Sequence, residues 1–481
     1  MLRSLLALIA LPWLSPMGLA MDTTVKLDSG KISGAEAGGV ASFKGIPYVA
    51  PPTGDLRWRP PHTIAPWGAT RSAKEFGAAC PQPPILEHTY HIKFDNLSED
   101  CLTLNVWTAA NSSAERHPVL FWIHGGAHIA GSGSVTDGSA LAKQGAVVVT
   151  INYRLGPLGF LALPSLSMES SRATSGNYGL LDQVAALLWV HRNIEKFGGD
   201  PQNVTVFGES AGGSDIGWLM CSPLAKGLFQ RAIIQSGSVF PHFDSRRAVA
   251  EEAGVKLYGD NLPALRLRST DEIMRSAAFQ TGFILDGGAS YGPVIDRWVI
   301  PENPALAFES GNQANVPLLV GTNTDEGSIF TENLPFKTVA EYHAYLAGHF
   351  SDTFFNLYPA TDDTQVRAAA ARLITDVVFI SPTRRLARFH AKVNRKTFMY
   401  HFTHPTGPSG AFHGSEIPFV FATASGDLAR LMSAAWIKFA TAGDPSWPAY
   451  TAASDQYMEF GDTIKVGSEL HKKELDALPA K

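Results

Sequence analysis

Six uninterrupted apolar runs punctuate this chain: PVLFWI (118–123), AVVVTI (146–151), VTVF (204–207), AIIQ (232–235), VPLLV (316–320) and TFMYHF (397–402). A strand with one wet face alternates apolar and polar side chains with period two. These runs do not alternate, so they suit strands covered on both faces, as in a parallel sheet wrapped by helices. The stretch GLLDQVAALLWVHRNIEKFGG carries Leu180, Val184, Leu187, His191 and Ile194 at helical spacing, and a glycine pair ends it. Strands alternating with helices predict a doubly wound α/β architecture, with a mostly parallel central sheet flanked by helices. Upstream, VKLDSGKISGAEAGGVASFKG alternates between glycine breaks and reads as small hairpins. The stretches 241–315 and 331–395 are mixed and mostly helical, and read as insertions above the sheet, where a lid or pocket wall would sit.

Composition narrows the class further. The 481 residues are 45% hydrophobic and 17% charged, enough for a large core and unlike a disordered chain. The formal net charge is -5 and no basic block occurs, which argues against nucleic acid as a partner. Residues 1–20, MLRSLLALIALPWLSPMGLA, combine Arg3, an apolar stretch from Leu5 to Leu14 and a small-x-small Gly18-Leu19-Ala20. They read as a cleaved signal peptide, so the chain is expected to be exported, secreted or periplasmic, without a stable membrane anchor. Residues 21–481 then read as a single domain. Export permits Cys80 and Cys101, 21 positions apart, to pair, and leaves Cys221 beside Trp218-Leu219-Met220 as a buried, unreactive thiol. With no CxxC and no HExxH, no metal site is expected.

The chemistry centres on FGGDPQNVTVFGESAGG. VTVF is a buried strand and SAGGSDIGWLM opens a helix, so Gly208-Glu209-Ser210-Ala211-Gly212 falls on a strand-to-helix junction. A turn that sharp leaves little room for side chains beside Ser210 and lifts its hydroxyl above the strand end, at a helix N-terminus. A nucleophilic serine also needs oxyanion donors, an acid and a base. LFWIHGGAHIAGSG leaves a strand through His124-Gly125-Gly126-Ala127, small residues whose N–H groups can face a developing charge. Asp325 and Glu326, in VPLLVGTNTDEGSIF, follow another strand, and either could orient a histidine. Of the later histidines, His401 lies inside an apolar strand and reads as core, while His471 lies in a charged tail. His413, in the glycine-bracketed GPSGAFHGSEIPF, is the candidate base, with His404 second.

These segments resemble the type-B carboxylesterase/lipase family of carboxylesterases, bile-salt lipase, cholinesterases and para-nitrobenzyl esterases. GIPYVAPPTGDLRW, SEDCLTLNVW, WIHGGA, NYRLGPLGFL, FGGDPQNVTVFGESAGG, GTNTDEG and FHGSEIPFVF match in the family's order across most of the chain. The resemblance implies the α/β-hydrolase fold, with Ser210 as nucleophile, Glu326 as acid and His413 as base. It assigns the oxyanion donors to Gly126, Ala127 and Ala211, with Gly125 in the same motif, and a disulfide to Cys80 and Cys101. It pairs Arg154 with Asp182 and Arg57 with Glu99. The implied activity is hydrolysis of small-molecule carboxylic esters through an acyl-enzyme, with no cofactor. Lipase, amide or thioester hydrolysis would use the same triad. The stretch between Cys80 and Cys101 has no tryptophan, for which Tyr90 is at most a partial substitute, and this argues against choline esters. Neuroligin-like adhesion members lose the serine that this chain keeps.

Overall fold

The computed structural model describes residues 23–240, 245–276, 284–286 and 291–478. The signal-peptide reading of residues 1–20 lies outside the described residues. The strands, in chain order, are β1 (Thr24–Lys26), β2 (Lys31–Ser33), β3 (Ala35–Ala37), β4 (Val40–Pro47), β5 (Arg71–Ser72), β6 (Thr103–Thr108) and β7 (His117–Ile123). They continue with β8 (Val147–Ile151), β9 (Gly199–Glu209), β10 (Arg231–Gln235), β11 (Leu318–Asn323), β12 (Thr397–Phe402), β13 (Gln456–Phe460) and β14 (Ile464–Ser468).

Eleven of these form one sheet in the order β14-β13-β12-β11-β10-β9-β7-β8-β6-β4-β3. From β8 to β13 every neighbouring pair is parallel. The strands β6, β4 and β3 on one side and β14 on the other join antiparallel. All six apolar runs fall in the parallel part, and the side chains of β8, β11 and β12 are buried without exception. The expected N-terminal hairpins are present as β1–β2 and β3–β4. Helix Tyr178–Asn193 forms where the apolar spacing put it and passes through a 3-10 turn to Gly198, whose φ of 77° ends it. Most of that helix is buried, polar Asp182 and Gln183 included, so its covered surface is wider than the stripe read from the sequence.

Two core layers cover the sheet. One packs helix Tyr178–Asn193 and helix Ala211–Met220 against the face that carries Phe121, Val149 and Val206. The other packs helix Asp427–Ala442 against the face that carries Leu120, Trp122 and Phe207. The reading of 331–395 as an insertion above the sheet needs correcting at its end. Helix Ser381–Val393 packs on β11 and β12, and its Leu386 and Ala387 join the main core, because its apolar positions all lie on one side. Phe336, Tyr342, Phe354, Tyr358 and Leu373 instead form a small core of their own. Among the described residues no helix is long and apolar enough to cross a membrane.

Candidate active site

Parallel register brings the carboxyl ends of β7, β9, β10 and β11 to one edge of the sheet, where an open α/β sheet binds ligands. Ser210 leaves β9 at that edge with φ 56° and ψ -124°, and helix Ala211–Met220 starts at the next residue. This is a strained conformation for a side chain other than glycine, typical of a nucleophile elbow. The flanking glycines are required by contact. A Cβ at Gly212 would lie 2.1 Å from Ile123 O, and one at Gly208 2.7 Å from the same oxygen. Ser210 is partly exposed, its N–H donates to Gln235 O at 2.9 Å, and its hydroxyl makes no hydrogen bond among the described residues.

His413 is 4% exposed and sits on the loop after β12. Its Nδ1 is 2.6 Å from Glu326 Oε2. A carboxylate accepts, so Nδ1 carries the proton and Nε2 is the nitrogen that can take another. Glu326 is fully buried, and its other oxygen accepts from Ser236 Oγ at 2.5 Å and from Asn323 N at 2.7 Å, which fixes the carboxylate. Asp325 does a different job: its Oδ2 accepts from Ala411 N at 2.8 Å and ties down the backbone of the His413 loop. Of the two acids left open by the spacing, only Glu326 reaches the imidazole. His404 is away from this cluster, with Nδ1 3.3 Å from exposed Asp462 and its ring against Phe419. His401 is buried between Thr322 and Thr324, and burial pushes its pKa down to about 3, in keeping with a core residue. His471, read as part of a charged tail, bonds the buried Asp376 at 2.6 Å.

The loop Gly125-Gly126-Ala127 runs directly over Ser210; a Cβ on Gly125 would lie 2.9 Å from Ser210 Cβ. The N–H groups of Gly126 and Ala127 serve none of the hydrogen bonds among the described residues. Ala211 is the first residue of its helix, where the N–H has no partner within the helix.

Several contacts at the site escaped sequence reading. Glu209, buried beside Ser210, has Oε1 3.2 Å from His413 Nε2, close enough to pair but not aligned for a hydrogen bond. Burial, with Glu416 and Glu326 close by, pushes Glu209 up to about 8, against the pull of His413. Burial alone would lower His413, but Glu209 and Glu326 outweigh it and raise it to about 9. A charged residue next to a candidate nucleophile was the available signal for Glu209. Tyr90 donates its hydroxyl to His413 O at 3.1 Å and so braces the histidine loop. Phe330 and Phe379 lie 5.3 and 4.7 Å from the imidazole, ring to ring, and form an apolar wall. Phe379 is carried by a π-helix, Thr375–Ile380, which no periodicity in the sequence announced.

The arrangement supplies a hydroxyl at a strained elbow, an imidazole oriented by a carboxylate, and free N–H groups above the serine. Known proteins match it over nearly the whole chain. The family model described as "Carboxylesterase family" matches residues 21–478. The fumonisin B1 esterase of Sphingopyxis macrogoltabida is 40% identical over 92% of this chain and 87% of its own. The para-nitrobenzyl esterase of Bacillus subtilis (strain 168) is 37% identical over 92% of this chain and 94% of its own. A solved para-nitrobenzyl esterase structure superposes with a TM-score of 0.83 at 33% identity, covering 96% of this chain and all of that one. The chain belongs to the carboxylesterase family and is an esterase with the α/β-hydrolase fold.

Proposed function

We propose that this esterase works through Ser210, His413 and Glu326. One observation carries the reading: Glu326 holds His413 through Nδ1, while Nε2 is left without an aligned hydrogen bond and faces Glu209, the residue that precedes Ser210 in the chain. His413 Nε2 takes the Ser210 proton as Oγ attacks the ester carbonyl carbon. The carbonyl oxygen becomes an oxyanion, held by the N–H groups of Gly126, Ala127 and Ala211. Collapse breaks the bond to the alcohol, which leaves with the proton from His413. Water, deprotonated by the same nitrogen, then attacks the acyl-serine and frees the carboxylic acid and Ser210. Neither half-reaction needs a metal or organic cofactor. Phe330 and Phe379 would keep bulk water off the imidazole.

The substrate is an uncharged small-molecule ester at its reacting centre. Its acyl and alcohol groups are best sought with a panel that includes para-nitrobenzyl esters and fumonisin B1, named for two of the relatives. Export after cleavage behind residue 20 belongs to the same proposal, since Cys80 and Cys101 are bonded and disulfides persist in oxidising compartments. Labelling with a fluorophosphonate, followed by peptide mass analysis, tests the nucleophile. One adduct on the Ser210 peptide, lost together with ester turnover in Ser210→Ala, is expected. An adduct on another serine, or full turnover by Ser210→Ala, overturns the assignment.

A further inference from the structure

Another histidine–carboxylate pair lies outside the triad, next in sequence to the oxyanion loop. His128 directly follows Ala127, and its Nε2 is 2.8 Å from Asp215 Oδ1. Asp215 belongs to helix Ala211–Met220, the helix that begins just after Ser210. Its Oδ2 accepts from Gln183 Nε2 at 2.5 Å, and Gln183 belongs to helix Tyr178–Asn193. The Asp215 side chain is fully buried and that of His128 is 10% exposed. One face of the imidazole packs on Phe160, centroids 5.0 Å apart.

From this chain of bonds we infer that His128, acting through Asp215, is a positioning residue that sets the oxyanion donors. The inference rests on Ser210 being the nucleophile. The donors come from two separate elements. Ala211 N–H rides on the helix, whereas Gly126 and Ala127 ride on the loop after β7. Close packing fixes the start of the loop, where a Cβ on Gly125 would lie 2.9 Å from Ser210 Cβ, whereas the close contacts of Gly126 are all to Ala130 of its own loop. The loop closes on itself, with Ile129 N and Ala130 N both donating to Gly126 O at 3.0 Å, which shapes the turn but not its height above the helix. Ala127 and His128 are also both in the left-handed region, at φ 53° and 60°. Two consecutive residues with side chains hold that shape only when their surroundings impose it. Two braces do so. Gln82 exchanges hydrogen bonds with Gly131 N and O at 2.8 and 2.9 Å and holds the far end. The His128–Asp215 bond holds the near end, and among the described residues it is the hydrogen bond that runs from the donor loop to the donor helix.

Donor placement matters far more to the oxyanion than to the ground-state carbonyl, so loosening the strap should lower kcat and leave KM almost unchanged. A displacement of about 1 Å at a reacting centre can cost ~100-fold, so His128→Phe and Asp215→Ala are each expected to lose roughly 10- to 100-fold in kcat. The full chain would be assayed with para-nitrophenyl acetate, together with inhibition by an alkylboronic acid, which forms a tetrahedral anionic adduct on a serine. Boronate affinity should fall with kcat. Because both residues act through one bond, the double variant should lose no more than either single. His128→Gln, whose amide can still donate to Asp215, should recover most of the loss. Unchanged kcat and boronate affinity in folded His128→Phe, a loss confined to KM, or multiplying losses in the double variant would each overturn the inference. Should His128→Phe fail to fold, Asp215→Ala and His128→Gln decide the matter: equal kcat losses in both would overturn it. Failure of the nucleophile assignment is seen separately, as Ser210→Ala that still turns over ester.

Discussion

His413 stands among three carboxylates, Glu209, Glu326 and Glu416, and each favours the protonated ring. General-base action needs the ring neutral, so a pKa raised to about 9 means activity that climbs with pH and is largely lost on acidification through that value. Glu209 is the neighbour whose charge can be removed without touching the Glu326 bond. Glu209→Gln is expected to move the rising limb of kcat/KM to lower pH by about one unit or more, because an opposite charge at this distance typically shifts a pKa by 1–3. Glu209 and His413 lie 3.2 Å apart, so the limb reports the pair. An unmoved limb would place the ionisation elsewhere. Under the proposed assignment, His413→Ala should cut turnover about as deeply as Ser210→Ala, since the members of a triad act as a unit. His404→Ala should be mild, because that ring faces Asp462 at the surface. Comparable losses in steady-state assays of both histidine variants would undo the base assignment.

Arg154 and Asp182 show how the elements beneath the site are joined. Arg154 leaves β8 and bonds Asp182 through Nε at 2.8 Å and Nη2 at 2.7 Å, with 4% and 0% of the side chains exposed. The Arg154 backbone N–H bonds the same carboxylate at 3.0 Å, and its Nη1 donates to Arg59 O at 2.8 Å. The strand exit, the helix Tyr178–Asn193 and the segment near residue 59 are thus held at one guanidinium. Removing one partner of a buried pair strands the other, so Arg154→Leu should destabilise by about 3–5 kcal/mol, read from urea denaturation. The folded fraction should keep near-parental kcat, since neither residue belongs to the site. Loss below about 1 kcal/mol would mean that the pair behaves like a surface contact.

At the scale of the whole molecule, the disulfide Cys80–Cys101 closes a loop of 21 positions that carries Tyr90 and ends beside β6. Arg57 grips Glu99 in that loop through Nε at 2.8 Å, and its Nη1 donates to Arg268 O at 2.8 Å, so the loop is anchored to the helical region beyond β10. A closed loop of this length typically contributes about 2–4 kcal/mol, so reduction should lower the melting temperature in a calorimetric scan. Tyr90 braces the His413 loop, so turnover should fall before the protein melts as a whole. Cys221 is only partly buried at the end of its helix, not wholly buried as the sequence suggested, yet burial still pushes its thiol well above the ordinary range. Alkylation without reductant should therefore modify it slowly. A melting temperature that ignores reductant would show that the noncovalent contacts of the loop, those of Arg57, Gln82 and Tyr90 among them, hold it without the disulfide.

The amino-acid order by itself determined the parallel sheet, the strand-to-helix junction at Ser210 and the glycines beside it. The sheet and the junction follow from apolar runs and helical spacing, which act between near neighbours in the chain, and the glycines from the little room that a sharp turn leaves. It also narrowed the acid to Asp325 or Glu326 and the base to His413 or His404. Only the tertiary structure decided which acid touches which histidine, because that contact spans 87 positions and depends on β11 and β12 lying parallel. The carboxylates around His413, the helix Ser381–Val393 lying on the sheet and the π-helix behind Phe379 have the same origin. The His128–Asp215 strap does too. Each depends on which distant elements become neighbours, and local periodicity carries no record of sheet order. Burial then sets the proton affinities, and burial exists only once the chain has closed around them.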